Sequence, residues 1–94
     1  MGSSDIRHDG ARNRFTTSED GHEGFVEYER AGNVLAITHT VVPPEIGGRG
    51  IAGRLVEAAL QYARSEGLKV IPRCSYAESY MGKHPEHADL RAPD

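Results

Sequence analysis

Four glycines fall within seven residues, at Gly47, Gly48, Gly50 and Gly53, between a run of β-formers and an amphipathic stretch. The first N–H groups of a helix have no intrahelical acceptor, and the macrodipole places about half a positive charge there. Glycine leaves such backbone open to close approach and permits positive φ. A strand, a glycine-rich turn and a helix N-terminus in that order are the arrangement that binds phosphate through backbone N–H groups. Other residues carry reactive side chains. His39, inside the β-run, has the side chain that titrates nearest neutral pH and suits a general base; the alternative is a hydrogen-bonded sheet histidine. Cys74 is the only thiol. It falls between a strand and a helix, where the dipole favours the thiolate, against the alternative of a small buried hydrophobe. Tyr76 and Tyr80 lie one helical turn apart. His84, Glu86 and His87 cluster, but a zinc site needs further ligands at workable spacing and none is evident. A turn opened by Pro85 is the simpler account, and no metal is expected.

These groups need elements to position them. Asn13–Thr17 forms a first short strand, Gly24–Arg30 a second, and the β-branched run Val34–Val42 a third and buried one. Ala31-Gly32-Asn33 turns between the last two, and Pro43-Pro44 stops the ladder because proline has no N–H to give. Ile51–Glu66 is the best helix. Ile51, Leu55, Ala59 and Ala63 recur every four residues, Ala52, Val56 and Leu60 flank them, and Arg54, Glu57, Gln61 and Arg64 take the opposite side. Gly67 suits the position after its last turn. Leu68–Pro72 returns as a strand by a right-handed crossover, parallel to the third. Ser75–Lys83 is a second helix capped by Ser75, and Pro85–Leu90 adds a helical turn. The class is α+β: an antiparallel meander of about three strands, a helix, a parallel strand and a C-terminal helix. Residues 1–10 read as a flexible N-terminal arm and 11–94 as a single domain.

Composition narrows the partners. A formal net charge of −3 argues against nucleic acid and anionic membranes. No apolar run approaches the roughly 20 residues that span a bilayer. Met1–Gly10 lacks the apolar segment of a signal peptide, and one cysteine excludes an internal disulfide, so a cytoplasmic protein is expected. Glu19, Asp20, Glu23, Glu27 and Glu29 make the first half acidic: a solvated hairpin face, or an attractive surface for a cationic amine.

Two nucleotide loops fail. The P-loop requires Lys-Ser/Thr after its last glycine, whereas Ile51-Ala52 follows Gly50. A dinucleotide fingerprint requires an early βαβ unit, which the strand order does not provide. The segment Val42-Pro43-Pro44-Glu45, Gly48-Arg49-Gly50-Ile51-Ala52-Gly53-Arg54-Leu55-Val56 resembles the acetyl-CoA-binding segment of the GNAT acetyltransferase superfamily. Gly50-Ile51-Ala52 matches the Gly-x-Ala part of its signature. The Gln/Arg position falls on Gly47, which supplies an N–H and no side chain; Arg49 and Arg54 stand near enough to substitute. Downstream, Val70-Ile71-Pro72-Arg73-Cys74-Ser75-Tyr76-Ala77, with Tyr80 and Gly82-Lys83-His84-Pro85-Glu86, is similar to a small single-domain GNAT-like subfamily with a Cys-Ser-Tyr segment. The resemblance covers roughly Gly24–Leu90 and implies a minimal GNAT-like fold, without the helices that usually follow the first strand and without the final strands.

The resemblance implies an N-acetyltransferase that moves an acetyl group from acetyl-CoA to an amine on a small molecule or a protein. Its pyrophosphate would rest on the N–H groups of Gly48, Arg49, Gly50, Ile51 and Ala52, and its pantetheine arm would run along the backbone of Val41 and Val42 like an added strand. Tyr80 would be the acid for the departing sulfur, with Tyr76 able to exchange roles. Cys74 would lie near the thioester, and His39 would be the base. The alternatives are an acyl-CoA-binding module without efficient catalysis, and thiol chemistry on CoA through Cys74. Monomer and homodimer are both compatible with the chain.

Overall fold

The computed structural model describes residues 5–93. Strands β1 (Arg7–Asp9), β2 (Arg14–Glu19), β3 (His22–Ala31), β4 (Val34–Val41) and β5 (Lys69–Pro72) form one sheet in sequence order. The first four are antiparallel neighbours and β5 lies parallel to β4. The meander therefore has one more strand than expected. The extra strand comes from the segment expected as an arm: Arg7–Asp9 pairs with Arg14–Thr16, while Met1–Ser4 lie outside the described residues. Aromatic packing fixes it there, because the His8 ring stacks on Phe15 at 4.2 Å and its Nε2 meets the Tyr28 hydroxyl at 2.6 Å.

Helix α1 (Ile51–Ser65) crosses from β4 to β5, and helix α2 (Ser75–Lys83) follows β5. The four-residue recurrence lays Ile51, Leu55, Val56, Ala59, Leu60 and Ala63 against the sheet, all fully buried. α1 ends in a Schellman motif: Gly67 takes φ +71°, and the Leu68 N–H donates to the Ala63 carbonyl at 2.8 Å. The cap of α2 is Cys74 rather than Ser75. Cys74 has the extended backbone of a cap, and its Sγ accepts the Ala77 N–H at 3.3 Å. Ala77 and Met81 join α2 to the core under α1. Pro85–Leu90 forms a 3-10 turn, after which Ala92 donates to the Val70 carbonyl at 2.8 Å and adds a single bridge beside β5. No helix among the described residues is long and apolar enough to cross a membrane.

One irregularity decides which side chains face the helices. Register runs Glu27↔His39 and then Tyr28↔Ile37, so Thr38 has no partner residue on β3. Its hydroxyl donates to the Glu27 carbonyl at 3.2 Å. Such a bulge shifts the two-residue alternation by one. Before it, Leu35 and Ile37 point into the core; after it, Thr40 shares the core face with its partner Val26, and His39 shares the outer face with Glu27.

Candidate functional site

The turn from β4 into α1 is built by two prolines and three glycines. Pro44–Ile46 makes a 3-10 turn whose end is sealed by the Gly47 N–H donating to the Pro44 carbonyl at 3.1 Å. Gly47, expected to offer its N–H to a ligand, has therefore spent it inside the turn. Gly48 and Gly50 take φ +77° and +78°, conformations that favour glycine. Gly50 caps α1, and the first bond of the helix runs from Arg54 N to the Gly50 carbonyl at 3.1 Å. Among the described residues, the N–H groups of Gly48 through Gly53 donate to no backbone carbonyl. That row sits at the positive end of the α1 dipole.

At Gly50 and Gly53 the row borders a cleft of about 420 Å³, walled also by Arg54, Glu57, Ala58 and Tyr80. Gly53 faces α2: a Cβ there would come into ordinary van der Waals contact with the Tyr76 hydroxyl and the Tyr80 ring at 3.4 Å. The Arg54 Nε is buried and has no hydrogen-bond partner among the described residues. Its terminal nitrogen lies 3.7 Å from Glu19. Arg49 is exposed but paired: it donates to Glu19 and Asp20 at 2.8 Å each, tying the glycine turn to the β2–β3 hairpin.

Tyr80 donates its hydroxyl hydrogen to Glu57 Oε1 at 2.7 Å. Burial first, and the neighbouring carboxylate second, push the phenol well above its ordinary value. Glu57 also receives Gln61 at 2.7 Å and His87 Nε2 at 2.9 and 3.1 Å. Burial alone would raise the Glu57 carboxyl, but these three donors outweigh it and hold it below its usual value. The stripe Arg54, Glu57, Gln61 and Arg64, expected on the side of α1 away from the core, thus faces the hairpin, α2 and the C-terminal turn. Glu57 and His87 were missing from the sequence-derived candidates for catalysis and binding. Glu57 carried a faint signal, as a carboxylate one turn beyond the glycine row. His87 carried none as a partner of Glu57, because the two are 30 residues apart.

The remaining candidates divide. Cys74 lies where β5 ends, with Sγ 3.3 Å from the Thr40 hydroxyl and at the N-terminus of α2. The Ile37 carbonyl accepts both Arg73 N at 2.9 Å and Cys74 N at 3.2 Å. Beyond Pro72 the chain turns away from β4, so among the described residues Thr38–Val41 have no strand on that edge. Val42 packs against the core, whereas Val41 is exposed on the outer face. His39 is brought together with none of the cleft residues. It is exposed on the outer face, 3.4 Å from Glu27 Oε1 and 3.2 Å from the Thr38 hydroxyl. Tyr76 is exposed and stacks beside Tyr80 at 6.4 Å between centroids. No group of three or more metal-binding side chains occurs among the described residues; His84 instead meets the Tyr80 carbonyl at 2.8 Å.

Comparison with known proteins gives a consistent result. A family model described as GCN5-related N-acetyl-transferase matches residues 14–90. Protein NATD1 of Gallus gallus is 37% identical over 83 residues, which cover 85% of this chain and 76% of that protein. Protein NATD1 of Homo sapiens is also 37% identical over 83 residues, 85% of this chain and 74% of its own. The NMR solution structure of a GCN5-like protein from Staphylococcus aureus superposes with a TM-score of 0.76 at 28% identity, covering 100% of this chain and 93% of that one.

Proposed function

We propose acetyl-CoA-dependent transfer of an acetyl group to an amine for this chain, which belongs to the GCN5-related N-acetyltransferase family. The observation that carries the proposal is the row of N–H groups from Gly48 to Gly53, free of backbone acceptors, at the positive end of α1. A pyrophosphate fits it. The half-exposed Arg54 guanidinium in the cleft wall adds positive charge beside it. The unpaired edge of β4 past Ile37 suits the amide groups of a pantetheine arm, laid along Thr38–Val41 as an added strand.

When bound, the thioester supplies an activated acetyl group. The chain's own residues then have three tasks. The glycine turn and Arg54 hold the anionic end. The β4 edge directs the arm between β4 and the start of α2. The cleft wall of Glu57 and Tyr80 receives polar hydrogens. Cys74 supports a second path: its Sγ accepts the Ala77 N–H at the N-terminus of α2 and lies 3.3 Å from the Thr40 hydroxyl. An acetyl group would pass from the CoA sulfur to the Cys74 sulfur before reaching the acceptor.

Calorimetric titration with acetyl-CoA, with desulfo-CoA as a non-reacting control, tests the binding half. Saturable binding of both is expected; binding of neither by the folded protein removes the proposal. Product formation across an amine panel then separates an enzyme from a binding module. An added 42 Da on Cys74 would select the acyl-cysteine path (~42 Da being the mass of an acetyl group less one hydrogen).

A further inference from the structure

We infer that Glu57, clamped by the buried His87, makes Tyr80 a hydrogen-bond acceptor toward the cleft, so that Tyr80 receives an N–H of the acceptor amine instead of protonating sulfur. The inference rests on the N-acetyltransferase reading and assigns the class of group that the cleft wall takes.

A tyrosine hydroxyl has one hydrogen and two lone pairs, and an ionised carboxylate only accepts. At 2.7 Å from Glu57 Oε1, the single Tyr80 hydrogen lies on that line. What the hydroxyl offers a ligand is therefore lone-pair density. Protonating a thiolate would take the hydrogen away from Glu57 and leave a phenolate facing a carboxylate at hydrogen-bond distance, two like charges in a half-buried site. The weakened acidity of the phenol follows from the same burial and the same neighbour.

Glu57 cannot turn away to release that hydrogen. Gln61 holds Oε2 at 2.7 Å, and His87 Nε2 bridges both oxygens at 2.9 and 3.1 Å. The His87 tautomer is set from behind. Arg64 Nη2 lies 3.4 Å from His87 Nδ1, and a guanidinium has no acceptor, so Nδ1 is the bare nitrogen and Nε2 carries the hydrogen toward Glu57. Arg64 is itself gripped by Asp89 at 2.9 and 3.1 Å. His87 is 3% exposed, so no ligand touches it; it is a positioning residue, as is Glu57 toward Tyr80. The Tyr80 ring is fixed by stacking on His84 at 3.8 Å and by packing against the hydrophobic core.

The test uses benzylamine and spermidine as probes, with the full chain and saturating CoA for binding or acetyl-CoA for turnover. Wild type, Tyr80→Phe, Glu57→Gln and His87→Gln are compared. Tyr80→Phe is expected to weaken amine binding about tenfold, the scale of one lost hydrogen bond in a partly buried site. Equal amine affinity in wild type and Tyr80→Phe overturns the inference, as does failure of the wild type to bind either amine with CoA present. Turnover decides the sign. If Tyr80 were an acid, Glu57→Gln would free its hydrogen and raise kcat. The acceptor role predicts a higher amine KM in Glu57→Gln and a smaller rise in His87→Gln, and a raised kcat with unchanged KM overturns it. Ultraviolet titration of the Tyr80 phenol keeps the outcomes separate. Earlier ionisation in Glu57→Gln supports the coupling even where no product forms, which would count against the transferase activity alone; an unmoved titration overturns the coupling.

Discussion

Arg49 and Glu19, 30 residues apart, meet at 2.8 Å and close the glycine turn against the β2–β3 hairpin. Asp20 makes a second contact to the same guanidinium nitrogen at 2.8 Å. The arginine expected to serve a phosphate is thus already neutralised by two carboxylates. An anionic ligand must compete with them for Arg49. The double variant Glu19→Gln, Asp20→Asn is expected to bind CoA severalfold more tightly at low salt, with the advantage shrinking as salt rises. Calorimetry across a salt series checks this. Weaker binding would show instead that the carboxylates orient Arg49 for the ligand.

Gly50 separates shape from charge in the turn. At φ +78° and ψ 12° it caps α1 in the left-handed region, and no atom lies within 4 Å of where a Cβ would be. Gly50→Ala is therefore strained by backbone conformation and not by collision, at about 1–2 kcal/mol. Gly50→Glu adds bulk and negative charge facing the N–H row. Thermal melts should show similar losses for both, while only the glutamate variant should lose CoA binding altogether.

Stability should respond to pH at both ends through the Tyr80–Glu57 pair. Above pH 10.0, the ordinary phenol value, the unfolded chain releases a proton that the folded chain retains, because burial and Glu57 raise the folded value. Rising pH therefore favours unfolding from about there upward. Glu57 works in the opposite sense. Its folded value is lowered, so its contribution is present above the ordinary 4.5 and is lost as pH falls through the lower folded value. Denaturation midpoints measured against pH should fall at both ends, and Tyr80→Phe should flatten the alkaline limb.

The core under α1 is expected to behave as close-packed. Leu60 is fully buried between the helix and the sheet. Leu60→Ala should cost about 2–5 kcal/mol, read from urea unfolding with an unchanged slope. A loss under 1 kcal/mol, roughly that of a surface site, would mean that the helix does not pack as described.

His39 lies across the sheet from the cleft, and its side chain is 67% exposed. His39→Gln should leave CoA affinity unchanged and stability within about 0.5 kcal/mol. Loss of acetyl transfer in this variant, with binding intact, would place the acceptor on the outer face of the sheet.

Much of this architecture is local, and local patterns are readable along a chain. Helix α1 was expected over Ile51–Glu66 and spans Ile51–Ser65, because a four-residue recurrence of apolar side chains has one low-energy solution against a sheet. The glycine turn follows likewise from residue types alone, since Gly48 and Gly50 sit where positive φ is required. Strand β1 is not legible in the sequence because three polar residues carry no period, and only Phe15, Tyr28 and Tyr62 around His8 hold them in place.

Tertiary contacts decided the rest. A one-residue bulge at Thr38 turned His39 outward and Thr40 inward, and alternation along β4 alone could not place it. The stripe from Arg54 to Arg64 has the composition of a solvent-facing surface. It became the wall of a cleft because Tyr80, His87 and Asp89 arrive from distant parts of the chain. Periodicity reports which side of a helix is apolar, since burial of that side is driven by water whatever lies opposite. It cannot report which polar side chains meet partners, because a hydrogen bond to a neighbour and one to water look the same in sequence until the chain has closed on itself.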